Sequence, residues 1–314
     1  MEIKNIIHYL VDKRVFYDVT EVNPITVGAS GARLFSVIDG EQKYVLKHTH
    51  ESSHQEKRHI HSYQKELLFY ELNQRLKLPY VPDMIYSERH SDYGILLVMR
   101  YYSPLLHDQW TSEMQKSAVD LCAKFNSIAI EQMGPLGLSF QKTEIDKAFT
   151  EKSYQVWKGV LAQHRGCFDE VLFEEIYKNI DIVCPVLNDE PHYVCHGDFH
   201  PENLLYDDKN LYICDFQNID VGKAIGDISF FISRGTGFAI KMDTDALLDY
   251  YCEKLSEYKG IPIDRATLIK ERCASAVLNI FSFWAYHLKN CSYERVSGQF
   301  NEMVKSYQHL KNTV

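Results

Sequence analysis

The sequence predicts an α+β protein with two lobes: a small antiparallel β-sheet lobe that contains one helix, and a larger, mainly helical lobe. Short segments of alternating apolar residues, separated by turns, dominate the first hundred or so positions, and helical periodicity dominates the chain from about residue 103 onward. The chain has 314 residues, which is too long for one small core. We therefore expect one domain over residues 1–101 and a second over residues 102–314.

The first lobe should begin with a helix and continue as a sheet. Apolar residues recur at helical spacing in MEIKNIIHYLVDKRV, whereas TEVNPITV and RLFSVI have the pattern of strands. The dipeptide Asp39-Gly40 predicts a hairpin turn that leads into the strand EQKYVLKH. A helix is expected over EKRHIHSYQKELLFYELNQRLKL, followed by strands near residues 84–87 and 94–101.

The second lobe should be helical with one β interruption. The expected helices cover residues 111–130, 145–164, 168–183, 224–233, 243–257, 264–290 and 294–311. The interruption consists of residues 194–195 and a hairpin formed by 204–206 and 211–214 around the turn DDKN.

Composition and charge exclude several classes of protein. The net charge of −9 argues against nonspecific nucleic-acid binding, which depends on clustered Lys and Arg. The eight cysteines are scattered and form no CxxC pair, which indicates a reducing compartment rather than a disulfide framework. No signal peptide or membrane-spanning apolar run is recognisable, so we predict a cytoplasmic protein with no membrane partner.

The stretch VCHGDFHPENLLYDDKNLYICDFQ, residues 194–217, carries the strongest functional signal. The predicted hairpin should bring Asn203 and Asp215 together at its open end, and Asp198 precedes Asn203 by five positions. Two carboxylates and one amide oxygen then converge. Hard oxygen ligands of this kind suit Mg²⁺ that is also bound to substrate phosphates.

Three other interpretations of this stretch are open. A zinc site on His196 and His200 would require both side chains on one helix face, yet Gly197 and Pro201 predict a loop. A polar turn could serve the core alone. A glycosidase-type pair of acids gives no role to the amide of Asn203.

HGDFHPEN followed by CDF resembles the H-G-D-x-H-x-x-N and D-F/W motifs of the aminoglycoside phosphotransferase and choline kinase-like families. These families share the two-lobed protein-kinase-like fold, and the Asp-x₄-Asn spacing is also that of the protein-kinase catalytic loop. The resemblance implies that Asp198 is the catalytic base and that Asn203 and Asp215 hold Mg²⁺. It further implies that His196 braces the loop.

The same resemblance implies residues for the nucleotide phosphates. In VGASGARL, Gly28, Ser30 and Gly31 would form a loop whose backbone amides approach phosphate oxygens. Lys47, in KYVLKH, would hold the α- and β-phosphates. Each signal alone is weak, because a simple hairpin turn and an exposed strand lysine would look the same.

Three further parts of a kinase are expected in a fixed order. Glu66 in KELLFYEL should pair with the lysine, and Glu71 is the competing choice. Met99 and Tyr101, in the interlobe segment LLVMRYY, should meet the adenine. Asp227, in AIGDISFF, should brace the catalytic loop and cap its own helix.

The resemblance thus implies an ATP-dependent and Mg²⁺-dependent phosphotransferase, with GTP as the alternative donor, that acts on a hydroxyl of a small molecule. The first candidate for the acceptor is an aminoglycoside-like or other antibiotic, and with such an acceptor the protein would be a resistance enzyme. A choline/ethanolamine- or homoserine-type metabolite is the alternative. A nucleotide-binding pseudokinase is the alternative from another class. The HGD form and the lack of an APE-like segment after DFQ argue against a protein kinase.

Residues for the acceptor are not assigned by the sequence. Phe283, Trp284 and His287 could line a substrate wall, although packing of a buried helix explains them as well. Acid-rich helices could face a polyamine or simply solvent. The five histidines between His48 and His61 favour a solvated loop over a metal site.

Overall fold

The computed structural model describes residues 3–26, 32–49 and 54–313. An antiparallel five-stranded sheet with two helices forms the N-terminal part, and the remainder is mostly helical. This confirms the predicted fold class. The chain leaves the sheet after Arg100, and the division into domains at residues 101 and 102 remains a prediction.

The elements of the N-terminal part alternate as the sequence predicts. They are α1 (Ile3–Asp12), β1 (Val19–Ile25), β2 (Arg33–Asp39), β3 (Gln42–Thr49), α2 (His54–Leu76), β4 (Met84–His90) and β5 (Gly94–Arg100). The elements of the rest of the chain are β6 (Ser103–Pro104), α3 (Ser112–Asn126), α4 (Lys147–Ala162), α5 (Glu170–Lys178), α6 (Val183–Asn188), β7 (Tyr193–Cys195), β8 (Leu204–Tyr206), β9 (Leu211–Ile213), β10 (Asp220–Gly222), α7 (Ile225–Gly237), α8 (Thr244–Lys259), α9 (Arg265–Asn279), α10 (Ala285–Leu288) and α11 (Tyr293–Thr313).

The five-stranded sheet has the order β1-β2-β3-β5-β4, and every neighbouring pair is antiparallel. Strand β5 is buried on both faces, which explains its unbroken apolar run ILLVM. Leu96 and Val98 pack with α1 on one face, whereas Leu97 and Met99 join the core shared with α2 on the other. The sheet therefore joins two hydrophobic cores.

Helix α2 lies between the sheet and the helical part of the chain. Tyr63, Leu67 and Tyr70 follow one another at helical spacing and are all buried. Phe69, on another side of the helix, stacks on Phe216 from the helical part, with ring centroids 3.9 Å apart. Helix α2 is thus buried on two sides and connects the sheet to the region of residue 215.

An aspartate occupies the N-cap position of four of the helices. Each accepts hydrogen bonds from backbone N–H groups of the first helical turn, which would otherwise have no partner in the helix. They are Asp146 before α4, Asp169 before α5, Asp243 before α8 and Asp264 before α9.

Two predicted helices differ from the structure. The single helix expected at 264–290 is interrupted by a π-helical turn, Ile280–Trp284, between α9 and α10. The helix expected at 168–183 ends earlier, at Lys178, and a second short helix covers Val183–Asn188. Asn179, with φ of −118° and ψ of 23°, leaves the helical conformation and separates the two.

The short strands of the second part hold one loop in place. Strand β7 pairs with β10, and β8 pairs with both β6 and β9. The segment between β7 and β8, residues 196–203, therefore has both ends fixed in small sheets. Among the described residues, no helix combines the length and apolar character needed to cross a membrane.

Candidate active site

The loop between β7 and β8 turns sharply at Gly197. Its φ is +77°, and a Cβ atom there would lie 2.3 Å from the carbonyl oxygen of Asn218. Only glycine meets both conditions without strain or a clash. The His-Gly-Asp sequence therefore has a local structural cause, because the turn at glycine positions the aspartate that follows.

The carboxylate of Asp227 holds this turn from beneath. It accepts hydrogen bonds from the backbone N–H groups of His196 at 2.7 Å and Gly197 at 2.9 Å. Burial raises the pKa of Asp227, although these hydrogen bonds and His196 act in the opposite direction. The prediction that Asp227 also caps its own helix is wrong. It is the third residue of α7, whose N-cap position has no side-chain hydrogen bond.

Two buried residues that sequence reasoning missed complete this support. The amide nitrogen of Asn126, on α3, donates to Asp227 at 2.9 Å and to the carbonyl oxygen of Val194 at 2.8 Å. The amide oxygen of Asn126 accepts from the hydroxyl of Tyr251, on α8, at 2.8 Å. Helices α3, α7 and α8 are thus connected to the loop through one polar network.

His196 is fully buried and braces the loop through the backbone. Its Nδ1 accepts from the N–H of Asp198 at 3.3 Å, and its Nε2 lies 3.0 Å from the carbonyl oxygen of Cys214. These partners require that the proton is on Nε2. Both ring nitrogens are occupied by the backbone, so the pair of histidines does not form a zinc site.

The two oxygens of the Asp198 carboxylate have different neighbours. Oδ2 accepts from the amide nitrogen of Asn203 at 3.3 Å, whereas Oδ1 lies 3.7 Å from Nε2 of His200. Burial lowers the pKa of His200, although Asp198 acts in the opposite direction. The side chain of Asp198 remains 25% exposed, so a bound molecule can reach it.

Lys47, Glu66 and Asp215 form a buried cluster. Nζ of Lys47 lies 2.7 Å from Oε2 of Glu66 and 2.7 Å from Oδ1 of Asp215. Glu71, the competing choice for the pairing, is exposed. The cluster joins strand β3, helix α2 and the end of strand β9.

Burial and charge act against each other in this cluster. Burial alone would lower the pKa of Lys47, but the two carboxylates reverse the effect and raise its pKa above the ordinary value. Burial raises the pKa of Glu66 to about 7 despite the neighbouring ammonium group. The pKa of Asp215 is lowered, because Lys47, His196 and His200 outweigh its burial. A charged Lys47 and a charged Asp215 therefore face each other at neutral pH.

The backbone of Asp215 is left-handed, with φ of 67° and ψ of 62°. Such a conformation is costly for a residue other than glycine and is found mainly where the surrounding structure enforces it. Phe216, the next residue, supplies this constraint, because its fully buried ring packs against Phe69, Phe125 and His196. The conformation directs the carboxylate of Asp215 toward Lys47.

Asn203 and Asp215 fit a magnesium ion better than a transition metal. The amide nitrogen of Asn203 donates to the carbonyl oxygen of Asp198 at 2.9 Å, which directs the amide oxygen the other way. Asp215 contacts Lys47 through Oδ1 at 2.7 Å, and its other oxygen, Oδ2, is the one that would bind the metal. Among the described residues, no group of three or more His, Cys, Asp or Glu side chains could hold a metal ion. One carboxylate and one amide suit Mg²⁺ whose other ligands are phosphates and water.

The expected adenine segment has part of its backbone engaged within the protein. The N–H groups of Arg100 and Tyr101 donate to the carbonyl oxygens of Asp83 and Lys43. The side chain of Met99 is buried in the core beside α2. Contact of Met99 and Tyr101 with a base stays a prediction. The expected phosphate loop, Gly28, Ser30 and Gly31, lies outside the described residues.

Other residues noted in the sequence lie in varied surroundings. His48 is buried at the end of β3, with Nε2 2.7 Å from the carbonyl oxygen of Tyr93, and helix α2 begins at His54. The expectation of a solvated loop is therefore wrong for these parts of the histidine run. Phe283 is exposed on the π-helical turn. The guanidinium of Arg295 lies over the ring of Trp284, 5.1 Å from the ring centroid.

The sheet, the paired lysine and glutamate, and the loop with Asp198 and Asn203 define a kinase-like phosphotransferase. The sequence model of the phosphotransferase enzyme family matches residues 21–261, so the chain belongs to this family. Family membership confirms the predicted class of enzyme, a phosphotransferase of the small-molecule kinase type. Comparison with curated protein sequences found no match.

Solved structures share the fold along almost the whole chain. The ADP-bound aminoglycoside phosphotransferase APH(2'')-Ib is 19% identical, with 96% of each chain covered and a TM-score of 0.54. The gentamicin complex of APH(2'')-IIa is 20% identical, with 99% of this chain and 96% of that chain covered and a TM-score of 0.58. The GDP complex of aminoglycoside 2'-phosphotransferase-IIIa is 15% identical, with 98% and 99% covered and a TM-score of 0.55. At these identities the likeness concerns the fold.

Proposed function

We propose that this protein transfers the γ-phosphate of ATP to a hydroxyl group of a small molecule. The observation that carries the proposal is a pair of contact groups from distant parts of the chain, which are linked where the backbone N–H of Cys214 donates to the carbonyl oxygen of Asn203 at 3.0 Å. Lys47 bridges Glu66 and Asp215, while Asp198 and Asn203 contact each other on the adjoining loop. This is the set of groups that phosphoryl transfer between a nucleotide and an alcohol requires.

The nucleotide is proposed to lie against Lys47, with its phosphates covered by the loop containing Gly28, Ser30 and Gly31. The buried ammonium of Lys47 stays protonated, so it can neutralise phosphate charge. Asn203 and Asp215 would hold Mg²⁺, which neutralises charge on the transferred group when it is bound. ATP is the proposed donor. GTP is the alternative, since a structure of similar fold contains GDP.

Asp198 is proposed as the base that orients the acceptor hydroxyl and accepts its proton. Its carboxylate is fixed on one side by Asn203 and is still partly exposed. Phosphoryl transfer has a loose transition state, so most of the rate should come from positioning and charge neutralisation. The Asp227 and Asn126 network, which holds the loop rigid, would contribute to this positioning.

Two classes of acceptor are proposed. An aminoglycoside-like or other antibiotic is the first, since the structures of similar fold include aminoglycoside phosphotransferases, one of them bound to gentamicin. With that acceptor the protein would be a cytoplasmic resistance enzyme. A choline/ethanolamine- or homoserine-type metabolite is the second.

A screen of ADP release across aminoglycosides, other antibiotics, choline and L-homoserine tests the proposal, with calorimetric titration of Mg-ATP in parallel. We expect nucleotide binding and acceptor-dependent ADP release with at least one compound. Binding of Mg-ATP with no turnover across the whole panel would favour a pseudokinase. Absence of both binding and turnover would refute the proposed function.

A further inference from the structure

A buried ion pair lies among the elements that support the catalytic loop, and the proposed chemistry does not use it. Nζ of Lys223, the residue after β10, is 2.7 Å from Oε1 of Glu271 on α9. Only 5% and 4% of the two side chains are exposed. Taking two charges out of water is costly, and a hydrophobic pair of similar volume is often at least as stable. Stability alone is therefore a weak explanation for this pair.

The ammonium group of Lys223 also binds the backbone of the segment that leads into β7. It donates to the carbonyl oxygen of Asp189 at 2.6 Å and to that of Pro191 at 3.3 Å. Both residues lie between the end of α6 and the start of β7. An ammonium group has three protons, and Glu271 together with the two carbonyl groups offers three acceptors. The side chain is thus fully engaged within the protein and has no proton left for a ligand.

Glu271 depends on this lysine for its charge. Burial raises the pKa of Glu271, whereas Lys223 and His192 act in the opposite direction. The second carboxylate oxygen, Oε2, is buried and has no hydrogen-bond partner among the described residues. Removal of Lys223 alone would therefore leave an uncompensated buried charge, which is strongly destabilising. Lys223 and Glu271 must be replaced together to separate an effect on the loop from an effect on folding.

Lys223 lies where two elements that bear on the catalytic loop meet. On one side, β10 ends at Gly222, which pairs with Tyr193 at the start of β7, and β7 leads directly into His196. On the other side, Lys223 is followed by α7, whose Asp227 binds the backbone of the same loop. The contacts of Lys223 therefore fix the strand that enters the loop relative to the helix that supports it.

We propose that Lys223 is a positioning residue for phosphoryl transfer, which holds the entry to β7 against the start of α7 and so keeps Asp227 aligned with the turn at Gly197. The inference rests on the proposed phosphotransferase function and adds a residue that touches neither the nucleotide nor the acceptor.

The short contacts of Asp227 make the loop sensitive to this alignment. Asp227 binds the N–H groups of His196 and Gly197 at 2.7 Å and 2.9 Å, so a small shift between β7 and α7 would lengthen both beyond hydrogen-bonding range. Asp198 directly follows this turn. A misplacement of about 1 Å that originates far from the reacting atoms can lower a rate by about 10²-fold.

The double variant Lys223→Met/Glu271→Met tests the proposal, because it removes both charges and leaves neither unpaired. Its urea midpoint should stay close to that of the wild type. Hydrogen exchange, measured by mass spectrometry on peptides that span residues 193–203, should become about 10-fold faster as the loop loosens. With the acceptor that gives the highest turnover in the ADP-release panel, kcat should fall about 10-fold at an unchanged KM for Mg-ATP.

Lys311→Met/Glu175→Met is the matched control. Nζ of Lys311 is also 2.7 Å from a glutamate oxygen, but this pair joins α11 to α5 and has no contact with the catalytic loop among the described residues. The control should keep the wild-type kcat and the wild-type exchange of residues 193–203.

Four results would overturn the inference. They are a wild-type kcat in the Lys223→Met/Glu271→Met variant, unchanged exchange of its loop, an equal fall in kcat in the control, and failure of the double variant to fold, which would show that the pair serves the fold itself. Each of these leaves the proposed phosphotransferase function intact. Absence of ADP release by the wild type with every acceptor would instead remove that function, and loop exchange would still decide whether Lys223 holds the loop.

Discussion

The carboxylate of Asp198 is set apart from the other acids of the loop by its surroundings. One oxygen is held by Asn203 and the other faces His200, while the side chain stays partly exposed. Asp227, by contrast, is buried and accepts hydrogen bonds from the backbone N–H groups of His196 and Gly197 and from the amide of Asn126. Burial therefore distinguishes the acid that can meet a substrate from the acid that supports the loop.

Replacing Asp198 with Asn should slow phosphoryl transfer by about 10²–10⁴-fold, the usual contribution of a general base. Asn keeps the shape of the side chain and can still contact Asn203, so Mg-ATP affinity should change little. Turnover with the best acceptor and calorimetric titration of Mg-ATP measure the two effects. A rate close to that of the wild type would show that Asp198 is not the base.

Glu66 offers a test of the buried charge cluster. Its pKa in the folded protein, about 7, lies above the ordinary value of 4.5. The folded state therefore binds this proton more tightly than the unfolded state does. The associated stability is fully present below pH 4.5 and is lost as pH rises to about 7.

Glu66→Gln should consequently flatten the fall in free energy of unfolding between pH 4.5 and about 7. Urea unfolding at several pH values in this window measures the slope. Glu71→Gln, on the same helix but exposed, is the control and should keep the wild-type slope. Equal slopes in all three proteins would contradict the assigned pKa shift.

At the scale of elements, the catalytic loop depends on three helices that meet beneath it. Asn126 on α3 contacts Asp227 on α7 and Tyr251 on α8, and all three side chains are buried. Short strands fix the two ends of the loop. Between these ends, the loop is held by the hydrogen bonds of this network. The order of the active site is therefore set by helix packing as well as by the motif.

Tyr251→Phe should lower turnover more than it lowers Mg-ATP affinity, because it releases Asn126 and so loosens the loop that carries Asp198. We expect a loss of about 1 kcal/mol in the free energy of unfolding, typical of a buried hydrogen bond. Tyr258→Phe is a matched control, since the Tyr258 hydroxyl also joins α8 to α3, through Asp120 at 2.8 Å. Equal losses of turnover in the two variants would show that the network has only a structural role.

At the scale of the whole molecule, the sequence predicts the two-part architecture and its order of elements. Alternating apolar segments separate strands from helices clearly, and the Asp-Gly turn and the hairpin after Asn203 follow from local turn chemistry. The π-helical turn at Ile280–Trp284 could not be predicted, because the apolar pattern of LNIFSFWAYHL is compatible with continuous helix. Tertiary packing decides such interruptions.

The sequence marks residues of the candidate site only where the chemistry fixes a spacing between them. Asp198, Asn203 and Asp215 stand out because a loop and a hairpin place them at fixed separations. Asn126 and Tyr251 carry no such signal. In the sequence, a polar helix residue with a buried, distant hydrogen-bond partner looks the same as a polar helix residue without one.

Mass spectrometry of acceptor compounds incubated with Mg-ATP tests the central claim, phosphoryl transfer at the site of Asp198, Asn203 and Asp215, most directly. The wild type should add one phosphoryl group to a hydroxylated acceptor. Asp215→Ala, which removes the carboxylate beside Lys47, should leave every acceptor unmodified while remaining folded by circular dichroism. A phosphorylated acceptor from Asp215→Ala at the wild-type rate would contradict the account.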